Sequence, residues 1–324
     1  MKTFVVIALA CGSATAAFAQ PKPAPKPAPK PAPVAQAIDE RSRLEVQPAG
    51  RAFKQLAIEN PLGDVRIEGY DGNAIMIETH KHAPDADTLD RLRVSLVPNP
   101  DGMVRITTTA DGGREVRPVL RGQVRIDLLI RAPRDAHIDA TVGAGKLEIE
   151  NMDAGGELDS SSGAIGVKNV SGELFTHSVS GATSLAQVFG SVDAATLSSD
   201  LDLDTIGGEK LVASASKGKI AGRRVRSRDI ELTTTDGRIV LEAEAALRGH
   251  VVVSSLHGDV DVRLHRHGAL VVRARGSKVD LGAQAQAIEH KDGWAQTSVG
   301  HSGDPAAMIE LQSRYGMVQF AIIE

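Results

Sequence analysis

Gly163-Ala164-Ile165-Gly166-Val167, Gly181-Ala182-Thr183-Ser184-Leu185 and Ser199-Asp200-Leu201-Asp202-Leu203 are three versions of one pattern. A small residue is followed two and four places later by mostly aliphatic residues, and the whole recurs after 18 residues. The pattern extends both ways. A small anchor stands at Gly145, Gly163, Gly181, Ser199, Gly218, Gly237, Gly258 and Ser277, at spacings of 18 to 21. The positions two and four beyond the anchors run from Leu147/Ile149 to Val279/Leu281, with polar or small residues such as Glu148, Ser184 and Asp261 between them. Alternation with period two predicts a strand with one buried face. Seven places before the anchors stand Ile138, Leu174, Val192, Leu211, Ile230, Val251 and Leu270, with Gly156 alone out of pattern, so a second strand precedes each anchor.

A unit of strand, glycine turn, strand and second corner cannot bury its apolar face alone. Stacked units can, each strand pairing with its equivalent about 4.8 Å away. The expected fold is an all-β, single-stranded β-solenoid or β-helix with coils of 18 to 21 residues. Eight regular coils make a rod of roughly 38 Å. The second corner often carries glycine (Gly172, Gly190, Gly208, Gly249, Gly268), where a residue without Cβ can take positive φ. A narrow bore explains a chain with 42% hydrophobic but only 3% aromatic residues. Weaker copies are expected around Gly63 (Leu56/Ile58, Val65/Ile67), at Gly102 with Val104/Ile106, and around Gly316 (Ile309/Leu311, Val318/Phe320). Pro84 to Arg93 is the one short helix expected, as an insertion or an end cap near the N-terminal end.

Residues 1–19 read as a signal peptide: a charged start, the apolar run from Phe4 to Ala10, and Ala17-Phe18-Ala19 ahead of Gln20. Cleavage there removes Cys11, the only cysteine, and with it disulfides and thiolate metal sites. A competing reading lipidates Cys11 and keeps it as an anchor. Residues 20–43 form a linker, with Pro21-Lys22-Pro23-Ala24 repeated to Pro33, an extended polyproline spacer of roughly 40 Å. The solenoid domain is then 44–324. Localisation in the periplasm or at the cell surface follows, with no membrane span. A net charge of −4 gives no support for nucleic acid as a partner.

Asp200, Asp202 and Asp204 share an outward strand face, and Asp259/Asp261 occupy the equivalent place three coils on. They are candidates for Ca²⁺ binding or for an acid/base pair, the alternative being the ordinary polarity of a solvated strand. The densest basic run, Arg223, Arg224, Arg226 and Arg228, suits an anionic envelope polymer or a solvated corner. His265-Arg266-His267 has metal-ligand alternation but lies beside a corner glycine. Nucleophile elbow, phosphate loop, zinc-protease and dinucleotide motifs are missing, so no catalytic residue and no cofactor are expected.

Leu56-Ala57-Ile58-Glu59-Asn60-Pro61-Leu62-Gly63-Asp64-Val65-Arg66-Ile67, Val124-Arg125-Ile126-Asp127-Leu128-Leu129-Ile130-Arg131-Ala132-Pro133 and the serial Ser-Gly-x-aliphatic coils resemble the bacterial "putative adhesin" domain of unknown function, related to the adhesin-head GIN domain. The resemblance covers roughly residues 52 to 324. It implies an exported β-solenoid, with some members tied to envelope-stress responses, and supplies no catalytic residue. The expected function is a non-enzymatic envelope scaffold with a polymer or protein partner; the alternative is a carbohydrate-active enzyme of β-helix type using the outward acids.

Overall fold

A computed structural model describes residues 37–48, 52–110, 123–283, 288–300 and 306–323. The signal segment, Cys11 and the proline repeat lie outside the described residues. Apart from the four-residue helix Ala86–Leu89, every regular element is a β-strand. The strands form two ladders, one on each side of the anchor turns, and one continuous aliphatic core lies between them. The strand Ile239–Ala245 shows why: Ile239, Leu241, Ala243 and Ala245 are buried, while Val240, Glu242 and Glu244 face outward. Neighbouring coils keep this register, with Ile239 opposite Val260 and Leu241 opposite Val262. The β-solenoid expectation holds.

The anchor glycines are needed for close approach. A Cβ on Gly163 would sit 1.7 Å from the carbonyl oxygen of Gly145, and the same clash recurs at Gly181 above Gly163 and at Gly258 above Gly237. Ser199 fits because its hydroxyl donates to the Gly181 carbonyl at 2.6 Å. At the second corner Gly172, Gly190 and Gly208 take positive φ (102°, 149° and 138°), whereas Gly249 and Gly268 do not. In the Gly249 turn the left-handed residue is Arg248, φ 59°.

Five successive coils, from the Gly145 anchor to the Gly218 anchor, also bend at a site that the alternation does not reveal. Asn151, Asn169, Gln187, Thr205 and Arg224 all have φ between 52° and 62° and stack as a column of bulges. In the strand Ile165–Ser171, Lys168 pairs with Ala186 and Val170 with Val188, leaving Asn169 out of the register. The extra residue turns both Val167 and Val170 inward.

Three expectations change. Residues 38–43, assigned to the linker, belong to the strand Ile38–Val46, which pairs antiparallel with Ile75–Ala83, because the edge of that strand not taken by Arg125–Pro133 offers backbone N–H and C=O groups to a partner. Gly102 is a second-corner glycine: Val104 pairs with Leu56, so the strand Met103–Thr109 lies in the ladder before the anchors. Coils also do not stack in chain order throughout. The coil of Gln55–Asn60 and Val65–Tyr70 sits directly on that of His137–Val142 and Leu147–Met152, with the intervening residues looped outside it. At the other end, the coil of Ala306–Ser313 and Met317–Ile323 slides between His250–Arg266 and Ala269–Asp280.

Antiparallel strands close the ends, with Arg93–Pro98 on Met103–Thr109 and Trp294–Val299 on Ala269–Arg275. The helix lies near the N-terminal end, capped by Asp85, whose carboxylate accepts from the Thr88 amide at 2.7 Å.

Candidate functional site

The acids divide by what each carboxylate holds. Asp200 Oδ1 accepts the backbone amide of Lys219 at 2.8 Å, and Asp259 Oδ1 accepts that of Met317 at 2.8 Å. Asp64, directly after Gly63, does the same for Lys146 at 2.8 Å. All three stand one place beyond an anchor and stitch one coil to the next. Asp204 meets the guanidinium of Arg224 and accepts from Thr205 Oγ1 at 3.1 Å. Asp261, only 9% exposed, lies between Arg238 (3.2 Å) and Arg263 (3.6 Å). Asp202 is exposed with no polar side-chain partner among the described residues.

Asp202 and Asp261 share one column, Asp202–Ala221–Val240–Asp261. Three rungs separate them by about 14 Å, beyond the roughly 5 to 9.5 Å that glycoside hydrolysis needs between carboxyl groups. Asp200 and Asp204 stand about 6–7 Å from Asp202 along the same face, but their carboxylates are engaged, Asp200 by the Lys219 amide and Asp204 by Arg224 and Thr205. The two aromatics of the regular coils stay apart as well: Phe175 lies in the ladder before the anchors, whereas Phe189 lies in the other and covers Gly207. Phe175 floors a groove of about 210 Å³ edged by Glu157, Asp159, His177 and Asp193.

The basic run is on the strand Ile220–Asp236. Arg224 is tied to Asp204 and Thr205, and Arg226 donates to Glu244 at 2.6 Å. Arg223 and Arg228 are exposed and make no side-chain hydrogen bond or ion pair among the described residues. Glu244 also meets His267 Nε2 at 3.4 Å. Burial pushes its carboxyl up, but the bonds from Arg226 and His267 outweigh this and hold it below the ordinary 4.5. Arg224, Arg226, Glu242, Glu244, His265 and His267 line a groove of about 300 Å³.

His265 and His267 share a face but gain no third ligand, and His257 is stacked on Tyr315. His80 and His82 converge on Asp39, at 3.4 and 2.7 Å. Among the described residues no group of three or more His, Cys, Asp or Glu side chains is placed to hold a metal.

One column escapes the sequence reading. Ser160, Ser178, Thr196, Thr234, Ser255 and Ser313 each stand three places before an anchor and are buried. Ser178 Oγ donates to the Gly181 carbonyl at 2.6 Å and accepts its amide at 3.0 Å; Ser313 receives the Gly316 amide at 2.9 Å. Its signal in the sequence is a Ser or Thr three places before the small anchor residue.

The model of the Toastrack DUF4097 family matches residues 53–287. The chain belongs to this family. No curated protein is detectably similar to this Toastrack chain in sequence. Among solved structures it is similar to a "putative lipid binding protein" from Parabacteroides distasonis (12% identity, 88% of this chain and 97% of that one, TM-score 0.45). It is also similar to a "putative adhesin" from Bacteroides fragilis (13% identity, 89% and 97%, TM-score 0.36). A third is a "putative cell adhesion protein" from Clostridium sporogenes (9% identity, 88% and 100%, TM-score 0.26). No helix among the described residues of this Toastrack chain is long and apolar enough to cross a membrane.

Proposed function

We propose that the chain is an exported, non-enzymatic scaffold of the cell envelope that presents its strand faces to a polymer or protein partner. One observation carries this reading: the outward columns repeat rung by rung, and of the five acids that mimic a site all but Asp202 are engaged by neighbouring backbone amides or arginines. A flat, periodic face suits an extended partner, which meets the same spacing at every coil. Export rests on the signal segment, and the adhesin descriptions of several relatives point the same way. Fold alone does not decide the task.

Deletion of the gene is expected to reduce surface attachment or resistance to envelope stress; normal behaviour in both sinks the proposal. Purified protein is expected to leave polysaccharides intact. Turnover that disappears in Asp202→Asn would instead establish the carbohydrate-active alternative.

A further inference from the structure

The anchor spacing of 21 between Gly237 and Gly258 is the longest in the regular series, and its extra residues form the turn Ala246–Gly249. This turn lifts Leu247 into solvent, 56% exposed, with Arg248 held left-handed at φ 59° beside it. The neighbouring coils set further cations and a second apolar side chain around it. Arg228 lies above, since Asp229 pairs with His250 and the Arg228 carbonyl closes on Gly249. Arg266 lies below, paired with Ala245. Met308, 45% exposed, donates its amide to the Gly249 carbonyl at 2.9 Å.

Arg228, Arg248 and Arg266 have no ion pair among the described residues. The acids near them are Glu209, beside Arg228, Asp229, and Glu244, which Arg226 and His267 already engage. Arg224, Arg226 and Arg263 at this corner are matched by Asp204, Glu244 and Asp261, so the uncompensated positive charge here is that of Arg228, Arg248 and Arg266, in a chain that carries −4 overall.

We propose that this corner docks on an anionic lipid surface, with Leu247 and Met308 entering the headgroup region and Arg228, Arg248 and Arg266 meeting lipid phosphates. One large apolar side chain on a protruding turn and a second on the adjoining strand, beside guanidinium groups without an ion pair among the described residues, match the two halves of such an interface. A soluble polyanion would use the arginines but leave the exposed Leu247 unexplained. The inference does not depend on what the strand faces bind.

Flotation of the purified protein with phosphatidylcholine vesicles containing about 30% phosphatidylglycerol tests it, against vesicles of phosphatidylcholine alone. Binding is expected to the anionic vesicles only. The triple variant Arg228→Gln/Arg248→Gln/Arg266→Gln is expected to bind about 100-fold more weakly, and Leu247→Ser about tenfold more weakly. Arg41→Gln/Arg43→Gln, on the distant edge strand, should bind as the parent does. Leu247→Trp supplies a second readout, a blue-shifted emission on adding anionic vesicles. Failure of the parent to float, flotation of the triple variant at parental strength, or retention on soluble dextran sulfate without flotation would each overturn the proposal.

Discussion

At the scale of single residues, two glycines three places apart separate the demands on this fold. The Cβ of Gly163→Ala would meet the Gly145 carbonyl oxygen at 1.7 Å, and both partners are backbone, so the coils must part. The expected cost lies at or beyond the top of the ~1–3 kcal/mol usual for overpacking. Gly166 faces solvent, and its nearest neighbour to a new Cβ is Glu148 Cγ at 3.8 Å. Gly166→Ala should therefore be neutral or stabilising by ~0.5–1 kcal/mol, through a less flexible unfolded chain. Urea midpoints of the two variants check this, and equal destabilisation would refute the close-approach account. The column of anchors was legible because glycine recurred with the coil. Its cause was not, since a carbonyl that approaches from the next coil leaves no mark on local sequence. The same holds for Asp200: its outward alternation with Leu201 suggested a site, while its actual partner, the Lys219 amide, is 19 residues away.

At the scale of elements, the strand Ile38–Val46 is weakly held. It is exposed along most of its length, and its only strand partner among the described residues is Ile75–Ala83. Its charged side chains meet Lys81 (Glu40, 2.8 Å), His82 and His80 (Asp39, 2.7 and 3.4 Å) and Glu78 (Arg43, 3.8 Å). The hydrogen bond from His82 holds the Asp39 carboxyl below its ordinary 3.8, so this contribution is complete above about pH 4 and is lost as pH falls through the depressed value. Hydrogen exchange of the amides in this strand should accelerate in that acid window ahead of the amides of Leu201–Lys217. In Asp39→Asn the acid step should vanish, with lower protection already at neutral pH; an unchanged step would show that other acids control the strand. Alternating charges and adjacent prolines made this segment look like a continuation of the spacer. Only its partner strand, with Val46 opposite Ile75 and Ile38 opposite Ala83, makes it a strand, and pairing across such a distance is not written in either segment alone.

At the scale of the whole molecule, the chain departs from a simple solenoid, in which each coil meets only its sequence neighbours and the ends fray first. The hydrophobic pattern of Ile309/Leu311 and Val318/Phe320 marked a coil, but every coil carries that pattern, so alternation could not say where it would insert. The structure places it between His250–Arg266 and Ala269–Asp280, making the C-terminal coil an interior rung. Ile309, Leu311, Val318 and Phe320 are each at most 3% exposed there. Burying four such side chains contributes roughly 6–12 kcal/mol, comparable to the ~5–15 kcal/mol by which a domain is stable at all. Deleting residues 301–324 should thus leave a chain that is largely unfolded or aggregated, with Ala269–Arg275 losing its parallel partner. Deleting residues 38–46 removes the exposed edge strand and should lower the melting temperature by no more than a few degrees. Calorimetry with circular dichroism on both deletions distinguishes the cases. A C-terminal deletion that melts like the parent would mean that Ala269–Asp280 can close directly onto His250–Arg266, and that the inserted coil is an addition to a sequential stack instead of the piece that locks its end.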